Sequence, residues 1–134
     1  MTLHRASLFC IKLNSMRTSL KLEELGMFIL GLYLFQGLDY SWWWFVALIL
    51  VPDIGMLGYL ISSKIGAIVY NIFHHKGIAI LFFLIGIYFQ NEVLKLIGVI
   101  LFSHASMDRI FGYGLKYFNA FNNTHIGIIG KGKN

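Results

Sequence analysis

The chain of 134 residues is 57% hydrophobic, 16% aromatic and only 13% charged, with a mean hydropathy of +0.70. That balance lies far from the roughly 25% charge of a soluble domain, and its aromatic content excludes intrinsic disorder. The single cysteine, Cys10, excludes an internal disulfide framework and a cysteine-based structural zinc site, and the +5 net charge comes from dispersed residues with no Arg-rich run, which argues against a nucleic-acid partner.

In chain order, residues 1–20 read as an N-terminal extension, either disordered or untranslated, with Met16 as a second candidate start. Its apolar run, Ala6 to Ile11, is too short for a signal peptide and Lys12 interrupts it. Residues 21–112 read as an all-α membrane domain, a four-helix transmembrane bundle, and 113–134 as a cytoplasmic tail. Continuous rather than alternating apolar runs point to helices and not to a β-barrel. The first helix is predicted over Leu22–Gly37. The second runs from Ser41, a good N-cap residue, to Ile61. It opens on an aromatic belt, Tyr40 with Trp42, Trp43 and Trp44, and Pro52 should kink it and free backbone carbonyls nearby.

The third span has two readings. Gly77 to Asn91 alone gives about 22 Å of helix, short of a ~30 Å hydrocarbon core. Either one long helix covers Lys64–Gln90 with a bend near Gly77, or a short interfacial helix leads into the span. Gly77 is the one turn signal between the two parts, which favours the bent helix. The fourth helix is predicted over Glu92–Phe111. Arg5, Lys12, Arg17, Lys21, Lys64, Arg109, Lys116, Lys131 and Lys133 all fall on one side, so both termini are expected in the cytoplasm of a multi-pass cell-membrane protein.

Ionisable residues inside membrane helices are costly unless partnered, so each marks a candidate site. Asp53 and His104 each lie roughly 12 Å in from the inner ends of their helices, and His74 about 15 Å in on the long-helix reading. Three helices therefore present acid or imidazole at one depth. His104 and Asp108 are spaced i,i+4 and share a face. Asp53, His74, His104 and Asp108 are the expected metal ligands, with Asn71 and Arg109 in support. This donor set suits a divalent ion such as zinc. Bland readings stand beside it: an Asp108–Arg109 ion pair at the membrane edge, a basic His74-His75-Lys76 patch, and Asp53 bonding a backbone group released by the kink at Pro52. In the tail, Tyr113, Tyr117, Phe118 and Phe121 are expected to lie back on the bundle and bring His125 to the mouth of the site.

Read in order, the strings Pro52-Asp53-Ile54-Gly55-Met56-Leu57-Gly58-Tyr59, Tyr70-Asn71 with His74, His104 with Asp108-Arg109, and Gly112-Tyr113-Gly114-Leu115-Lys116-Tyr117 carry a resemblance. Over about Lys21 to Gly127 the chain resembles the bacterial integral membrane family known as domain of unknown function 4260. The resemblance implies a small membrane protein and no established activity. Its pattern includes Asn71 and His74 and leaves His75 out.

The function this points to is a membrane-embedded, metal-dependent hydrolase of a lipid-like substrate, with Asp53 and His125 as catalytic groups. The lipid bilayer and a lipid-like small molecule are its expected partners. Three alternatives compete: a non-catalytic scaffold whose polar cluster fixes helix packing, a small ion-coupled transporter using Asp53, and a haem protein with His74 and His104 as axial ligands.

Overall fold

The computed structural model describes residues 2–112 together with 123–124 and 127–128. The described residues form α1 (Thr2–Gln36), α2 (Trp42–Leu48), a 3-10 segment (Val51–Leu60), α3 (Ser63–Phe73), α4 (Lys76–Tyr88) and α5 (Glu92–Ile110). A two-residue antiparallel pairing of β1 (Asn123–Thr124) with β2 (Gly127–Ile128) follows. The protein is helical, as its apolar runs require.

The first helix begins at Thr2 rather than Leu22. Residues 2–20 contain neither Gly nor Pro, so nothing in them interrupts a helix once it has formed. Charge at Lys21, Glu23 and Glu24 marks where an apolar environment would begin, which is a different boundary from the end of the helix.

The predicted second helix divides in two. Pro52 has no N–H to offer the carbonyl four residues back, so α2 stops at Leu48 and the chain tightens. The Asp53 N–H bonds the Leu50 carbonyl at 3.2 Å, a three-residue step, and the tighter winding persists to Leu60. Ser41 sits at the N-cap but its hydroxyl makes no capping bond. Trp42, Trp43 and Trp44 are all exposed.

The predicted third helix is broken at His74 and His75, before Gly77. α3 ends at Phe73 and α4 starts at Lys76, with their axes bent by 46°. His75 makes the break: its backbone is extended and its Nδ1 accepts the Gly77 N–H at 3.0 Å, capping α4. The α3 and α5 caps follow ordinary chemistry. Ser62 Oγ accepts from the Ile65 N–H and Asn91 Oδ1 from the Leu94 N–H, each at 3.1 Å.

α5 is the axis of the fold, packed against both α1 and α4, while α3 lies along the 3-10 segment. Every residue from Gly98 to Ser106 is buried. Phe35 and Leu38 at the end of α1, Phe45 of α2, and Leu96, Val99 and Ile100 of α5 make the main core. The Phe35 and Phe45 rings meet edge-on at 5.2 Å. Glycine sets the helix separation. A Cβ on Gly98 would stand 2.6 Å from the Phe83 nitrogen and 2.7 Å from the Ala79 carbonyl oxygen. Gly98→Ala must therefore push α4 off α5, and thermal unfolding in detergent should show a loss of about 1–3 kcal/mol.

Among the described residues one helical run, Trp42–Leu60, is long and apolar enough to cross a membrane unaided, and α3 with α4 makes a second if the bent pair acts as one span. Outward-facing side chains across the fold are largely apolar, among them Leu30, Leu57, Leu81 and Leu84.

A candidate metal centre

Asp53, His74, His104 and Asp108 converge, each offering one ligand atom within 4.8 Å of all the others. Three breaks or repeats in the helices bring them there. Asp53 lies in the first turn of the 3-10 segment, directly after Pro52. His74 is the C-cap of α3, where the chain leaves the helix. His104 and Asp108 stand one turn apart on α5.

The histidines are held in one tautomer. His74 Nδ1 donates to the Tyr70 carbonyl at 2.9 Å, and His104 Nδ1 donates to the Ile49 carbonyl. A carbonyl only accepts, so each Nδ1 carries a proton and each Nε2 is left to face the cluster, offering a lone pair to an ion in the neutral form of the ring. The Ile49 carbonyl is available because the Asp53 N–H, its partner in a regular α-helix, has turned to Leu50. Pro52 thus frees a carbonyl as its position predicts, and an imidazole N–H takes it up, while the Asp53 carboxylate faces the imidazoles instead.

The two Nε2 atoms lie 2.9 Å apart. Asp53 Oδ1 is 3.1 Å from His104 Nε2 and 3.4 Å from His74 Nε2. Asp108 Oδ2 is 3.0 Å from His74 Nε2 and 3.4 Å from His104 Nε2. Two imidazole Nε2 atoms and two carboxylates therefore face a common point. With both rings neutral, these four acceptors repel one another unless a cation stands between them; protons on Nε2 are the other way to satisfy them. Ligands held about 2.0–2.1 Å from a tetrahedral ion lie about 3.3 Å from each other, close to the 2.9–3.4 Å of the five pairs that include an imidazole; the two carboxylate oxygens lie within 4.8 Å of each other.

Tyr70 supports this group from outside. Its hydroxyl donates to Asp108 Oδ2 at 3.2 Å, its ring stacks on His74 at 3.8 Å and 12°, and its carbonyl holds His74 Nδ1. Sequence reasoning did not assign it a role, although its place one turn before His74 was the available signal. Groups that orient ligands in this way typically carry tenfold to hundredfold in metal affinity. Tyr70→Phe keeps the stacking and removes the hydroxyl, so competition against a chromogenic chelator should show affinity falling by about tenfold.

The other expected residues are placed differently. Arg109 turns away from Asp108 and lies 3.8 Å from Glu24. Glu24 also pairs with Lys76, so one carboxylate of α1 ties α4 and α5 together. The Asp108–Arg109 ion pair is therefore replaced: Asp108 accepts from the Tyr70 hydroxyl and faces the two imidazole Nε2 atoms. Asn71, half-buried on α3, is outside the four-residue group. The exposed His75 serves as a helix cap. His125, and the aromatic tail expected to carry it, lie outside the described residues.

Residues 17–129 match the sequence model of a family described as domain of unknown function (DUF4260). The chain belongs to this family. No curated protein and no solved structure matches it. All four converging residues of this DUF4260 chain fall inside the matched stretch, as do Tyr70 and Ile49.

Proposed function

We infer that the protein is an integral membrane metalloprotein that hydrolyses a lipid-like substrate, with a divalent ion held by Asp53, His74, His104 and Asp108. The observation that carries the metal reading is the geometry of the four ligand atoms. Both imidazoles have their Nδ1 committed to backbone carbonyls, and both Nε2 atoms and both carboxylates point inward. Zinc suits two imidazoles and two carboxylates in tetrahedral array.

Four crossings fit the element order: the uncharged part of α1, α2 with the 3-10 segment, α3 with α4, and α5. The apolar outer surface supports a bilayer setting, and the basic residues at one set of helix ends support cytoplasmic termini. On this topology the site lies within the inner half of the bundle.

A divalent ion there would supply Lewis acidity and lower the pKa of an adjoining water toward about 7. Hydrolysis then needs a base near that water and an acid for the leaving group. The water oxygen bonds to the acyl or phosphoryl centre as the bond to the leaving oxygen breaks, and one water proton passes through a carboxylate to that oxygen. Asp53 is the ligand placed to take this part, because its side chain is the most exposed of the four.

The scaffold reading is favoured by one observation: protonated imidazoles between two carboxylates would also join the 3-10 segment, α3 and α5. The two readings separate by assay. Purified protein loaded with zinc, in mixed micelles with chromogenic amphiphilic esters and phosphodiesters, should release product. Chelation should abolish that release and added zinc restore it. Metal-loaded protein that turns over none of these amphiphiles would leave the packing role as the better account.

A further inference from the structure

The four ligands are unequally held. The side chains of His104 and His74 are 0% and 3% exposed, Asp108 is 14% exposed, and Asp53 is 40% exposed. His74 and His104 are each anchored through Nδ1 to a backbone carbonyl, and Asp108 by the Tyr70 hydroxyl. Among the described residues the Asp53 carboxylate meets only the two imidazoles that face it. Asp53 also stands on the 3-10 segment, whose three-residue hydrogen bonds are of poorer geometry than those of the α-helices bearing the other ligands.

We propose that Asp53 is the exchangeable ligand of the centre: His74, His104 and Asp108 keep the ion while the Asp53 carboxylate gives way to an incoming oxygen. The proposal rests on the metal reading above and adds which corner opens and what approaches it. Leu50, one 3-10 turn before Asp53, is 61% exposed, and Ile54 beside it and Leu57 four residues on are also exposed. The open corner is thus rimmed by hydrocarbon. An incoming ester or phosphoryl oxygen on an acyl-bearing molecule could reach the ion while its chain lies along these side chains. A small hydrophilic substrate would gain nothing from that rim. Once displaced, the Asp53 carboxylate stays beside the vacated position, where it can accept a proton from water.

The test uses the whole chain in detergent, loaded with cobalt(II) as a visible probe of coordination. Asp53→Ala should retain at least about half of the wild-type cobalt, whereas Asp108→Ala should fall below about a tenth. Acetate, which replaces the lost carboxylate, should shift the visible spectrum of Asp53→Ala at a concentration at least tenfold lower than it needs in the wild type, because no protein carboxylate competes. Asp53→Asn, nearly unchanged in volume, carries the same comparison if the alanine variant does not fold. The proposal is overturned if the folded Asp53 variants lose cobalt as completely as Asp108→Ala, or if acetate leaves their spectra unchanged. Wild-type protein that binds no cobalt overturns the metal reading and this proposal together. Wild-type binding with loss at Asp53 removes the proposal alone.

Discussion

Replacing His104 by alanine is expected to abolish metal binding and to destabilise the fold by about 2–4 kcal/mol. His104 is wholly buried on the central helix, touching the Ile49 carbonyl on one side and His74, Asp53 and Asp108 on the other. Alanine leaves a cavity, an orphaned carbonyl and two carboxylates with one imidazole between them. Metal content should fall to less than about a tenth of wild type. His104→Gln separates the two effects. Its amide keeps a donor for Ile49 and most of the volume, so it should recover part of the stability without recovering the ion. If His104→Gln bound metal like the wild type, Nε2 would not be a ligand.

Removing the ion from the intact protein should carry a comparable cost. An ion that binds the folded chain alone stabilises it by about 4 kcal/mol at a thousandfold excess over its dissociation constant. For a chain of this length that corresponds to roughly 15 °C in thermal midpoint. Chelation should therefore lower the midpoint by about that amount, and stoichiometric zinc should restore it. Asp108→Asn supplies the control: with the ligand set incomplete, neither chelator nor zinc should move its midpoint by more than a degree or two.

Much of this site is legible in the sequence because its chemistry conflicts with its surroundings. Asp53, His74, His104 and Asp108 stand out against an apolar background, and the i,i+4 spacing of His104 and Asp108 is enough to place both on one helix face. Pro52 announces a freed carbonyl by the same logic. What is not legible depends on which group takes up each freed bond. Nothing local says that the Ile49 carbonyl meets an imidazole from α5, or that Tyr70 reaches Asp108, since each contact spans a long stretch of chain. The break lies at His74 and His75 and not at Gly77, the familiar kind of interrupter, because here a histidine side chain caps the following helix. The start of α1 escapes a reading by hydropathy, which reports the surroundings of a helix and not its extent.

The central claim is that these four side chains hold an ion, and metal analysis of the purified protein tests it most directly. The full chain, expressed in medium supplied with zinc, iron and manganese and purified in detergent without chelator, should carry about one divalent ion per chain, lost in His104→Gln and Asp108→Asn. Less than about a tenth of an ion per chain in folded wild-type protein, unchanged after incubation with zinc, would contradict it.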